Sequence, residues 1–138
     1  VASDGTRSAL GERMVTQNQF QGSALIGNTR IPDASDPCAP SGRGVIMSID
    51  PFTGARLVET FFDINGDSVF NAGDLIEIDG VPTVVSGLAL NTGFSNPSFL
   101  DKKMYIPTDD GSISTLDINP FSTGASRTSW RELINTGN

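Results

Sequence analysis

Between positions 63 and 74 the sequence reads Asp-Ile-Asn-Gly-Asp-Ser-Val-Phe-Asn-Ala-Gly-Asp. Oxygen-bearing side chains occupy the first, third, fifth, ninth and twelfth places of this twelve-residue stretch. Asp63, Asn65 and Asp67 alternate, so one tight turn can aim all three at a common point. Val69, at the seventh place, has no ligating side chain, but its backbone carbonyl can face the same point. Asn71 and Asp74 extend the set, Asp74 by loop arithmetic alone. A crown of hard oxygens at this spacing suits calcium, which takes six to eight oxygens at about 2.3–2.6 Å in a tolerant geometry. With two or three carboxylates against two positive charges, affinity falls anywhere from about micromolar to millimolar.

Other ions fit less well. The chain has no His and one Cys, so a structural zinc site lacks ligands. Magnesium demands a stricter octahedron and keeps its waters. Helix-flanked calcium loops place Gly at the sixth position and Glu at the twelfth. Here those positions hold Ser68 and Asp74, and a glycine stands at Gly66. The flanks, Glu-Thr-Phe-Phe at 59–62 and Leu-Ile-Glu-Ile at 75–78, are rich in β-branched and aromatic residues. A calcium loop between strands therefore fits better than a paired-helix site. The plain alternative is a metal-free turn, because Asp, Asn and Gly are ordinary turn residues.

The elements that must position this loop read as all-β. Fifteen glycines and eight prolines are spread through the chain, with short apolar or β-branched runs between them. Strands are expected at 13–16, at 22–26 with continuation over 29–31, and at 44–50, where alternation is cleanest. Residues 32–44 and 87–97 read as loops, and Pro-Phe-Thr-Gly at 51–54 reads as a turn. A returning strand is expected at 55–62 and a short one at 83–86. Phe99 and Leu100 lead into a hairpin of 103–106 and 112–117 about an Asp-Asp-Gly turn. A short helical turn near 8–10 and a last segment over 128–133 complete the pass. Residues 44–54 and 111–124 share an outline of Gly, alternating apolar positions, Asp, then Pro-Phe and Thr-Gly. Repeated antiparallel units suggest propeller blades. Two cannot close a ring, so the expected fold is a set of partial or modified blades, with a simple sandwich as the alternative.

The 138 residues suffice for one domain with its own core. A net charge of −7 disfavours nucleic acid and anionic membranes as partners. No apolar run approaches the roughly 20 residues a membrane span needs. The first residue is Val1, which reads as the start of a processed chain or an excised fragment. Cys38 reads as a small loop or buried thiol, or as half of a bridge to a partner outside the chain.

These residues resemble a known family. Gly-Glu-Arg-Met-Val at 11–15, Ile-Pro at 31–32, Ser-Asp-Pro-Cys at 35–38, the 44–50 strand with Thr53 and Gly54, the 63–74 loop, Ser86-Gly87 and Ser-Trp-Arg-Glu-Leu at 129–133 run through nearly the whole chain. In order and spacing they are similar to the C-terminal portion of the type IV pilus tip-associated adhesin and biogenesis factors of the PilY/PilC type. The resemblance implies a modified β-propeller with a calcium loop set in a blade. It implies as ligands Asp63, Asn65, Asp67, the Val69 carbonyl and Asn71. The family often has Asp where Asn71 stands, so the site here keeps the oxygen and loses a charge. It further implies a place at the pilus tip or bacterial cell surface, reached through the periplasm. The implied roles are in pilus assembly, control of retraction and adhesion, with calcium as the switch. Expected partners are minor pilins, the remainder of a longer polypeptide and a host or surface receptor. The family's large N-terminal adhesin region has no counterpart in this chain.

An enzyme is not expected. Without His the commonest general base is missing, and the glycine turns at 42–44 and 86–88 lack phosphate-loop spacing. Asp109 and Asp110 sit at a hairpin tip, where a solvated turn is the simpler reading than a catalytic pair. The alternative classes are a calcium-stabilised domain of an unrelated secreted adhesin or carbohydrate-binding protein, and a fragment of a quinone-dependent propeller dehydrogenase. Phe61 and Phe62 would point to opposite faces of a strand, one toward a missing blade. Trp130 is expected to clamp the chain end onto the core.

Overall fold

Among the described residues, short runs with apolar side chains build nine strands, all antiparallel. A computed structural model describes residues 11–33 and 42–120. The strands are β1 (Gln19–Gln21), β2 (Ala24–Pro32), β3 (Gly42–Ile49), β4 (Leu75–Ile78), β5 (Val81–Val84), β6 (Gly87–Leu90), β7 (Ser98–Leu100), β8 (Lys103–Pro107) and β9 (Ile113–Asp117). They form a four-stranded sheet in the order β1-β2-β3-β6, a two-stranded β4-β5 hairpin and a three-stranded β7-β8-β9 sheet. The all-β, antiparallel expectation holds. No helix of the described residues is long and apolar enough to cross a membrane.

The strand with the cleanest alternation, β3, buries Gly44, Ile46 and Ser48 and turns the residues between them outward. Its inner face meets Phe94, and Met104 and Ile106 of β8 belong to the same buried cluster. Gly44 is required by this packing. A Cβ there would stand 2.4 Å from the Phe94 ring and 2.5 Å from the Thr29 carbonyl. Gly44→Ala should therefore cost about 1–3 kcal/mol or more through overpacking, read as a lower midpoint in urea unfolding. An unchanged midpoint would contradict the close approach of β3 to Phe94.

Several expected elements differ from those observed. The return at 55–62 is not a strand. After the 51–54 turn, capped by the Asp50 carboxylate, only isolated bridges Ile49↔Arg56 and Phe62↔Ile118 form. The reason is topological: both edges of β3 are already taken, by β2 and by β6. Residues 87–90, expected as loop, are the strand that takes the second edge, with Ile46 opposite Leu88 and Gly44 opposite Leu90. The expected strand at 13–16 reduces to a single bridge, Arg13↔Arg30. The strand expected at 83–86 lies two residues earlier. Asp79 and Gly80, at φ 53° and 77°, make a two-residue turn that pairs β4 with β5.

Phe61 and Phe62 do not face opposite ways: both are fully buried, with ring centroids 5.0 Å apart at 87°. The β8–β9 hairpin forms as expected about residues 109–111. The repeated outline is matched only in part. β3 is an interior strand and β9 an edge strand, and the second copy's turn lies outside the described residues. So do the expected turn at 8–10, Cys38 and the 128–133 segment with Trp130.

Candidate metal centre

The loop begins where the irregular 55–62 segment is pinned to β9. Phe62 bridges to Ile118, and the N–H of Asp63 donates to the Asp117 carbonyl at 3.1 Å. It ends in a 3-10 turn, Ala72–Asp74, directly before β4. Asn71 caps that turn: its Oδ1 accepts from the Gly73 N–H at 2.6 Å, and its own N–H donates to Asp74 Oδ2 at 3.0 Å. The loop thus lies between a β-bridge and a strand, as its flanks predict, and not between helices.

Inside it, alternation becomes successive Asx turns. Asn65 Oδ1 accepts from the Asp67 N–H at 2.9 Å, and Asp67 Oδ1 accepts from the Val69 N–H at 2.7 Å. Asn65 Nδ2 also donates to Asp67 Oδ2 at 3.1 Å. The two Asp63 oxygens accept from the N–H groups of Gly66 and Ser68, each at 2.7 Å. Asp74 Oδ1 accepts from the Ile64 N–H at 2.9 Å, so the twelfth residue closes the loop onto its second. Gly66 and Ser68 both have positive φ, 77° and 61°. The left-handed backbone that helix-flanked loops reserve for glycine at the sixth position is kept here by a serine.

The candidate residues divide by exposure. Asp63 is 3% exposed and Asp74 0%, whereas Asn65, Asp67, Val69 and Asn71 lie open to solvent. Among the described residues the ion pairs are Arg30–Asp109 and Lys103–Asp117, so neither buried carboxylate is in an ion pair, although the Lys103 charge acts on Asp63 from a distance. Burying a carboxylate is costly unless it is compensated. Each Asp63 and Asp74 oxygen accepts one backbone N–H and keeps capacity for a further partner. That surplus of inward negative charge, in an all-oxygen donor set, fits a hard divalent cation such as calcium.

Asn65 and Asn71 also converge. A Cβ on Gly73 would lie 2.8 Å from Asn65 Nδ2 and 3.1 Å from Asn71 Oδ1. The Val69 side chain is 54% exposed and offers no ligand, which leaves its backbone carbonyl as the candidate group. The convergence is incomplete. No three acidic or thiol side chains among the described residues gather as a ready metal cluster.

Sequence reasoning missed the anchor beneath the loop. Ser68 Oγ donates to Asp117 Oδ2 at 2.6 Å, and Lys103 Nζ pairs with Asp117 Oδ1. Lys103 and Asp117 are direct cross-strand partners on β8 and β9, a pairing readable from the hairpin register once the 109–111 turn is placed. The hydrogen bond from Lys103, then that from Ser68, holds the Asp117 carboxyl below the usual carboxylate range. The same bond to Asp117, then its charge, raises the Lys103 ammonium. Asp109 and Asp110 behave as turn residues. Asp109 pairs with Arg30, and Asp110 Oδ1 accepts from Thr108 and Ser112. Beside the loop an open groove of about 420 Å³ runs between residues 58–60 and Leu75, Pro82 and Val84, with residues 70–72 as one wall.

No family model matches the chain. Over 126 residues it is 44% identical to a curated relative, "Type IV pilus biogenesis factor PilY1 homolog" of Xylella fastidiosa, a match covering 90% of this chain and 10% of that protein. The fold resembles the crystal structure of the Pseudomonas aeruginosa PilY1 C-terminal domain with a TM-score of 0.63 and 20% identity. That match covers 86% of this chain and 22% of that one.

Proposed function

Because the chain belongs to the PilY1-type family of type IV pilus biogenesis factors, we propose that its 63–74 loop binds one calcium ion and thereby shapes a surface the pilus machinery uses. The chain spans 10% of the curated relative's length, so the activities of the whole protein are part of this proposal. The observation that carries it is the pair of buried carboxylates Asp63 and Asp74, neither in an ion pair among the described residues, inside a loop of alternating oxygen side chains.

Asp63 and Asp74 supply the buried charge, Asn65, Asp67 and Asn71 the oxygens at the rim, and Val69 its carbonyl. The bound ion supplies positive charge that offsets carboxylate repulsion. The loop's own hydrogen bonds hold these groups near their places, so the ion selects an arrangement already partly built. Residues 70–72 wall the groove, and a change in loop order reaches that surface directly. The groove-side surface contacts minor pilins or the remainder of the polypeptide at the pilus tip or cell surface. There calcium favours assembly, adhesion and resistance to retraction. The role is binding and not turnover.

Terbium luminescence and calorimetric calcium titration of the full-length protein test the site, with Asp67→Ala as the variant. One-to-one binding in the wild type, weakened in Asp67→Ala together with impaired pilus retraction control, is the expected result. Indifference of the wild type to calcium would sink the reading. A cofactor absorption band with dye-linked oxidation would move it to an enzyme, and carbohydrate capture without pilus effects to a lectin-like protein.

A further inference from the structure

We propose that Asp117, clamped by Lys103, is the positioning residue of the cation loop, and that Ser68 is the loop's point of attachment to it. The inference rests on the calcium reading. Asp117 holds the loop at two places. Its carbonyl accepts the N–H of the first loop residue, Asp63, at 3.1 Å, and its carboxylate accepts the hydroxyl of the sixth, Ser68, at 2.6 Å.

Among the described residues, the other hydrogen bonds of 64–74 stay inside the loop or, from the Leu75 N–H to the Ala72 carbonyl, at its edge. The Ser68 hydroxyl is thus their side-chain link to another sheet. Ser68 also donates its backbone N–H to Asp63 Oδ2 at 2.7 Å, so the pull on Ser68 is passed to a carboxylate proposed to hold the ion.

The identity of the residue supports the role. A φ of 61° at Ser68 costs roughly 1–2 kcal/mol for a residue with a Cβ, and glycine would avoid that cost. The hydroxyl is what glycine would lack. Lys103 sits opposite Asp117 in the hairpin register and occupies its other oxygen, which fixes the carboxylate facing the loop. Partners of this kind tune an ion site without touching the ion, and their loss typically costs about 10–100-fold in metal affinity.

Ser68→Gly is the discriminating variant. It removes the hydroxymethyl group, relieving the backbone as it deletes the hydroxyl, so the fold is expected to keep its unfolding midpoint without calcium. If the sixth residue serves backbone geometry alone, calcium binding by the full-length Ser68→Gly protein should equal or exceed that of the wild type. The positioning role predicts binding weakened about tenfold or more, with Asp117→Ala weakened at least as much. It also predicts that calcium slows amide exchange at Asp63 and Ser68 in the wild type and fails to do so in Ser68→Gly. Equal affinity and equal protection in both would overturn the inference and leave the calcium reading standing. A wild type that binds no calcium would overturn both.

Discussion

Asp63→Asn is expected to lower calcium affinity by more than about 100-fold, beyond the range typical of outer-sphere changes. The substitution keeps the shape of the side chain and removes its charge. Both Asp63 oxygens accept backbone N–H groups, from Gly66 and Ser68. An amide offers one acceptor oxygen, and its NH2 would meet the second N–H donor to donor. The variant therefore loses one buried negative charge and one of the two bonds that hold the loop closed.

Urea unfolding with and without calcium reads the effect. Calcium at a hundred times its dissociation constant should stabilise the wild type by about 2.7 kcal/mol, through preferential binding to the folded state. Asp63→Asn should gain less than about 0.4 kcal/mol at that concentration. The metal-free turn makes a different prediction: the substitution would lower the midpoint by the same amount in calcium and in chelator. That equality would remove the ion from the account.

Phe62→Ala is expected to cost about 3–5 kcal/mol of stability, and Phe61→Ala a similar amount. Both side chains are 0% exposed and meet edge to face, with ring centroids 5.0 Å apart. Such a contact adds about 0.5–1.5 kcal/mol beyond burial, so the double variant should cost less than the sum of the singles. The bridge that delivers Asp63 to the loop is made by the backbone, from the Asn119 N–H to the Phe61 carbonyl and from the Asp63 N–H to the Asp117 carbonyl, so both substitutions should act on stability first. The strand reading, with one ring turned toward a missing blade, predicts that one of the two substitutions is tolerated. Urea midpoints of the two single variants decide between these outcomes.

Much of the site was legible because it is local. Asx turns join residues two apart, so Asn65, Asp67 and Val69 announce their hydrogen bonds in their spacing. The same holds for the 51–54 turn, for the alternation of β3 and for the β8–β9 hairpin. The Asp79-Gly80 turn is equally local, and by pairing β4 with β5 it starts β5 at Val81 and not at residue 83. The family resemblance drew on short motifs whose order along the chain is a property of the sequence alone.

What proximity in sequence could not decide was which groups share an interior. Residues 87–90 carry turn-like neighbours, yet they are a strand because β3 offered an open edge. Residues 55–62 carry strand-like ones and stay irregular because that edge was taken. Asp63, Asp67 and Asp74 look alike as letters, but packing buries the first and last and leaves the middle one in solvent. Asp117 lies 49 residues from Ser68 and meets it only because β9 runs beneath the loop. By itself the sequence determined an antiparallel β chain, a loop of alternating oxygens and the resemblance to a pilus family. Strand partners, the division of the carboxylates and the anchor under the loop came from the tertiary structure. Burial and long-range pairing are set by competition among distant segments for the same edges and the same core, and periodicity does not encode that competition.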